Sequence, residues 1–156
     1  MGKRKSWAER LADDKNLPLV KPMPPRMAAR SGPGTMVVPS PREVDAAIRT
    51  VGRRKLAPAR EIAAHIARRH GTTVCCTVTT GIFSWIAAHA AHEAGLMGKK
   101  AITPYWRVLK SGGELNAKYP GGIGDVKRRL EGEGHTVVRK GRRYFVADYE
   151  KKLAAL

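Results

Sequence analysis

Between Thr103 and Val108 the chain reads Thr-Pro-Tyr-Trp-Arg-Val, setting a phenol, an indole and a guanidinium side by side. Of these, only the Tyr105 phenol could serve as a nucleophile, and its ordinary pKa of about 10 keeps it protonated at neutral pH. No histidine is placed by the local pattern to activate it. Cys75 and Cys76 are adjacent, and neighbouring cysteines rarely bridge each other. Two cysteines alone make neither a disulfide framework nor a zinc site. His89 and His92 recur at helical spacing, but an i, i+3 pair without a placed third ligand is no metal centre. Gly112-Gly113 and Gly121-Gly122 lack the lysine and the strand–turn–helix setting of a phosphate loop, and they read as turns. No metal and no cofactor is expected. What the residues offer is binding chemistry, from rings that stack and cations that meet phosphate.

The charge balance points the same way. Thirty Lys+Arg against thirteen Asp+Glu leave a net charge of +17 on 156 residues. Such an excess repels itself, and a polyanionic partner is the usual reason to carry it. No segment is long and apolar enough to span a bilayer, so no membrane partner is expected. Lys3, Arg4 and Lys5 precede no apolar run, so no signal peptide is expected. Adjacent reduced thiols fit a cytoplasmic protein, with nucleoid or ribosome association open. No oligomerisation signal is legible, and a monomer is expected.

These groups must be positioned by elements that the sequence also announces. Trp7 to Leu11 suits one or two helical turns. Residues 18–41 hold seven of the ten prolines and are expected to be extended or irregular, a basic arm or a linker. Ser40-Pro41-Arg42-Glu43 is a capping box, and Val44, Ala47, Ile48 and Val51 give the stripe of the helix behind it. A second helix starts at Pro58, carries Ile62, Ala63 and Ile66, and stops at Gly71. Thr72 to Val78 reads as a loop or short strand. Thr79 or Thr80 caps a third helix running to about Glu93, with Gly95 beyond its end. Ile82, Ile86 and Ala90 are its expected core face, and Trp85, His89 and His92 another face. Helix, connection, helix in a basic chain reads as a helix-turn-helix. A short helix follows near Asp125 to Glu131. Thr136–Arg139 and Arg142–Val146 then flank Lys140-Gly141 as a β-hairpin with Arg139, Lys140, Arg142 and Arg143 at its tip.

The expected fold is mainly α with a small β-hairpin, a winged helix-turn-helix. Residues 1–40 form a basic Pro/Gly-rich extension, 41–150 the domain and 151–156 a tail. Expected nucleic-acid contacts are Thr80, Ser84, Trp85 and His89 on the third helix and the four cations of the hairpin tip.

The segment Pro104-Tyr105-Trp106-Arg107-Val108 resembles the Pro-Cys-His-Arg-Val active-site motif of the O6-alkylguanine-DNA alkyltransferases. Ser111-Gly112, Tyr119-Pro120-Gly121-Gly122 and Lys127 through Glu133-Gly134-His135 continue the likeness in order, over about two-thirds of the chain. The resemblance implies that family's DNA-binding domain with its chemistry removed, because Tyr105 stands at the cysteine position and Trp106 at the histidine position. It implies that Glu133 matches the glutamate that orients the histidine, and that Pro104, Tyr105, Trp106, Arg107 and Glu133 mark the former alkyl pocket. It also sets Ala59 at the position of the tyrosine that helps rotate the nucleotide. Thr80 falls at that of the arginine that fills the vacated stack. A non-catalytic alkyltransferase-like DNA binder, or a sensor of alkylation damage acting with a repair partner, is the implied role. Two alternatives stand beside it. One is a basic module for RNA or a ribonucleoprotein; the other is an enzyme accepting alkyl groups on Tyr105 or Cys76. For Tyr105 and Trp106 two readings remain open, stacking on an inserted base or filling the vacated pocket as core.

Overall fold

The computed structural model describes residues 4–156. In chain order these form α1 (Trp7–Ala12), β1 (Leu19–Pro22), α2 (Pro25–Ser31), β2 (Thr35–Val38), α3 (Pro41–Arg49), β3 (Ala57–Pro58) and α4 (Ala59–His70). There follow β4 (Val74–Cys75), α5 (Thr77–Leu96), β5 (Val108–Leu109), α6 (Gly122–Gly132) and the hairpin β6 (Val137–Lys140) and β7 (Arg143–Val146). The architecture is mainly α with three small sheets. No helix among the described residues is long and apolar enough to cross a membrane.

The core is α3, α4 and α5. Ser40 accepts from the Glu43 amide and Glu43 accepts from the Ser40 amide, so the expected capping box closes α3. Val44 and Ile48 on its inner stripe are fully buried. Helix α4 buries Ile62, Ala63, Ile66 and Ala67 and ends at Gly71, as the spacing predicts. Helix α5 turns Phe83, Ala87, Ala88 and Ala91 inward. Its small residues let α3 lie close, and this is the most extensive helix pairing of the fold.

Helix α5 is longer at both ends than the sequence suggests. Thr80 is not a cap but lies one turn inside, its hydroxyl donating to the Cys76 carbonyl at 2.8 Å. Gly95 continues the helix, and the stop is Gly98. With φ at +95°, Gly98 donates to the Gly95 carbonyl while the Lys99 amide returns to Ala94, a Schellman closure. The rotation of α5 also differs from expectation: Ile82 is 51% exposed, and Thr80 and Ser84 take its place in the core.

The stretch 18–41, expected to be extended or irregular, is extended in β1 and β2, but Pro25–Ser31 between them is helical. Strand β1 pairs antiparallel with β2, and β2 pairs parallel with β4 of the core. The prolines sit at element ends, with Pro25 and Pro41 opening helices, where a missing amide costs nothing. Met36 and Val37 are buried, so β2 belongs to the core, while β1 is exposed along its length and α2 buries no residue. Residues 151–156 are likewise docked, as Leu56 exchanges backbone hydrogen bonds with Lys152 and Ala154. The hairpin turn is one residue later than expected: Lys140 pairs with Arg143, leaving Gly141 at φ +65° and Arg142 as the turn.

If β2 is core, Val37→Ala should lower the free energy of unfolding by about 2 kcal/mol in urea melts. A merely appended arm would leave it within about 0.5 kcal/mol of the parent.

Candidate functional site

Glu133, at the end of α6, is the hub of the site. Its carboxylate accepts the Trp106 indole N–H at 2.7 Å, the Arg107 Nε and Nη2 groups at 2.9 and 3.0 Å, and the Arg54 amide at 3.2 Å. Arg107 also donates through Nη1 to the Val51 carbonyl at 2.7 Å. The glutamate therefore clasps the turn Tyr105–Arg107 to the loop between α3 and α4. Burial opposes its charge, but hydrogen bonds from Arg107, Trp106 and the Arg54 amide outweigh that and hold its carboxyl below the ordinary glutamate range. Of the neighbouring rings of Tyr105 and Trp106, only Trp106 is hydrogen-bonded to the glutamate.

Tyr105 is fully buried, edge-on to Trp106 and to Tyr119 at ring distances of 5.2 and 5.6 Å. Burial pushes its phenol pKa up, against the nearby Arg129 guanidinium, and its oxygen makes no hydrogen bond of good geometry among the described residues. A protonated phenol without a base at its oxygen is not an activated nucleophile. Both rings are buried, which fits the reading of them as core. Pro104 is buried beside them, and the Arg129 guanidinium lies 4.7 Å from the Trp106 ring. His135 is buried, and its lost hydration lowers its pKa and keeps it neutral.

The expected contacts on α5 divide. Thr80 and Ser84 are 1% and 2% exposed, so neither can reach a partner. Their hydroxyls are bonded to the Cys76 and Thr80 carbonyls, as expected of short polar side chains inside a helix. Trp85 and His89 are half-buried, and α1 covers part of them. Trp7 stacks on His89 at 4.4 Å and meets Trp85 edge-on at 4.8 Å. Beyond this patch lies an open groove lined by Val78, Ile82, Trp85, His89, Asn116 and Lys118. Val78 is 70% exposed, and the Trp85 indole donates to the Lys118 carbonyl at 3.2 Å. Sequence reasoning assigned Ile82 to the core and Val78 to a loop or short strand, and thereby missed this groove. The only cue was that α5 carries apolar residues on more faces than one neighbour can cover.

The hairpin tip is as expected in composition. Arg139, Lys140, Arg142 and Arg143 are all exposed. Arg143 pairs with Glu114 at 2.7 Å, whereas Lys140 and Arg142 form no ion pair among the described residues. The chain from Glu114 to Lys118 links the two surfaces, because Leu115 donates to the Tyr144 carbonyl and Lys118 accepts from Trp85.

The thiols differ. Burial raises Cys75. Cys76 is partly open, and hydrogen bonds from Thr79 and Val78 with the charge of Lys21 outweigh burial and lower its pKa. No group of three or more His, Cys, Asp or Glu side chains able to hold a metal occurs among the described residues.

Because the folded pKa of Glu133 is depressed, its contribution is present above the ordinary carboxylate value and is lost as pH falls through the folded one. Glu133→Gln should cost about 2 kcal/mol at pH 7. In urea melts the gap to the parent should narrow below about pH 4; a gap constant with pH would refute the charged clasp.

No family model matches the chain, and no characterised protein matches it by sequence. Among solved structures, it is similar to Schizosaccharomyces pombe (S. pombe) Atl1 in complex with damaged DNA containing O6-carboxymethylguanine. The two are 18% identical, with a TM-score of 0.52, over 74% of this chain and 94% of that one. At that identity the likeness establishes the fold, which is alkyltransferase-like.

Proposed function

We propose that the chain is a non-catalytic, alkyltransferase-like DNA-binding protein whose hairpin serves as the wing of a winged helix-turn-helix. The observation that carries this reading is the state of the former reactive pair. Tyr105 is sealed in the core and Trp106 is bonded to Glu133, inside a fold shared with a protein crystallised on damaged DNA. The net charge of +17 and the exposed tip Arg139, Lys140, Arg142 and Arg143 support a backbone-contacting role. Each cation that neutralises a phosphate releases condensed counterions, which makes the affinity salt-dependent.

On this reading α5 approaches the duplex with Val78, Gly81 and Ile82, an apolar surface without a cation. Thr80 is buried and Ala59 offers only a methyl, so neither supplies the groups the alkyltransferases use to extrude a base. Ile82 is the exposed side chain suited to wedge into the stack, and the neighbouring groove with Trp85 and His89 is suited to receive the displaced base. An alkylated guanine pairs poorly, so its extrusion costs less, and damage sensing is the role this arrangement favours.

Binding titrations at several salt concentrations test the reading, with plain duplex, the same duplex bearing O6-methylguanine, and structured RNA. The modified duplex should bind more tightly than the plain one, and RNA more weakly than either. Lys140→Ala with Arg142→Ala should flatten the slope of log affinity against log salt by about 2. Ile82→Ala should erase most of the preference for the lesion. Equal binding to both duplexes would leave a general DNA binder, tighter binding to RNA would replace DNA as the partner, and no salt-dependent binding would sink the proposal. Mass spectrometry after incubation with the modified duplex should show no retained methyl group on Tyr105 or Cys76.

A further inference from the structure

A second basic surface lies apart from α5 and the hairpin. Arg49 at the end of α3, Lys100 and Ile102 after α5, Trp106 and Arg107 of the buried turn, and Arg129 of α6 line an open cleft of about 460 Å³. Four of these six are cations, and no carboxylate lines the cleft. The carboxylates stand behind the arginines. Arg49 donates Nε to Asp45 at 3.0 Å and Arg129 donates Nε to Asp125 at 3.3 Å, while Glu133 holds Arg107. Those acids are otherwise engaged: Asp45 accepts from the Thr103 hydroxyl at 2.7 Å, Asp125 from Arg128, and Glu133 from Trp106.

The consequence is a preset fork. Arg49 and Arg129 are each oriented by the inner nitrogen; no terminal amino group of either makes a hydrogen bond of good geometry among the described residues, and the nearest group to Arg129 is the neutral Tyr105 phenol. Arg129 is further fixed above the Trp106 ring, and the exposed Lys100 makes no ion pair among the described residues. Guanidiniums held in place lose little freedom on meeting an anion, and paired N–H groups match phosphate oxygens. Ile102 and the edge of Trp106 add an apolar surface beside the charges, and the volume is that of a small-ligand pocket rather than a single-ion site.

We infer that this cleft binds a phosphoryl anion, a phosphate mono- or diester whose oxygens meet Arg49, Lys100 and Arg129 and whose adjoining group rests on Ile102 and Trp106. The source is either a nucleic-acid backbone passing beyond the hairpin or a free phosphorylated small molecule. The chemistry at the cleft is the same for both.

The test uses inorganic pyrophosphate, titrated into the 15N-labelled full chain while the indole N–H signals of Trp7, Trp85 and Trp106 are followed. Only the Trp106 signal should move, saturably. Lys100→Gln, which removes no intramolecular partner, should weaken that binding about fivefold or more without changing the melting temperature. Arg49→Gln combined with it should abolish the shift. An unmoved Trp106 signal, or one moving alike in the parent and Lys100→Gln, overturns the inference. A duplex titration of the double variant separates the sources. Weaker binding with a flatter salt slope assigns the backbone, and unchanged duplex binding beside lost pyrophosphate binding assigns the free ligand. Because Lys140→Ala with Arg142→Ala should leave the pyrophosphate response intact, failure here and failure of the DNA-binding reading give different results.

Discussion

One buried carboxylate holds three separate segments of this molecule together. Glu133 receives the Trp106 indole, the Arg107 guanidinium and the Arg54 amide, and so ties α6, the Tyr105–Arg107 turn and the α3–α4 loop at a single point. A charge taken out of water is tolerable only when its lone pairs are filled, and here they are. The clasp fixes where Trp106 can lie, which fixes the position of Arg129 above it and closes Tyr105 in behind. Tyr105 and Trp106 are thereby part of a rigid wall.

Helix α5 is the second constraint. Its alanines allow α3 to approach closely, and that contact sets the helix rotation. The same rotation buries Thr80 and Ser84 and leaves Val78 and Ile82 at the surface. Covering the Trp85 and His89 rings falls to α1. Six residues of isolated helix would be marginal in water, and α1 is held by Trp7 stacking and by its Ala8 amide donating to Glu93 at 3.2 Å. The surface left beside it is an apolar groove bordered by Asn116 and Lys118, next to a strongly cationic hairpin.

The charge distribution sorts into two kinds of cation. Those of the hairpin tip are largely free in water, and screening weakens them as salt rises. Arg49, Arg107 and Arg129 are instead oriented by carboxylates behind them, so their geometry is set before any partner arrives. Sequence composition counts both kinds equally, and only their neighbours distinguish them.

The sequence by itself determined the local events: the Ser40 capping box, the stripes of α3 and α4, the stop at Gly71 and the hairpin with its basic tip. Each depends on residues a few positions apart, and short-range chemistry decides them. Its ordered likeness around Tyr105 and Trp106 pointed to an alkyltransferase-like fold, which the structural similarity bears out. Tertiary structure alone decided the rest. Strand β2 became core because β4 offered Val37 a strand to pair with and a place to be buried. The ends and rotation of α5 were invisible because threonine and glycine serve equally as caps or interior residues until a packing partner chooses. Tyr105 and Trp106 became core rather than an open pocket through the reach of Glu133 across 27 residues, a long-range bond that no local pattern encodes.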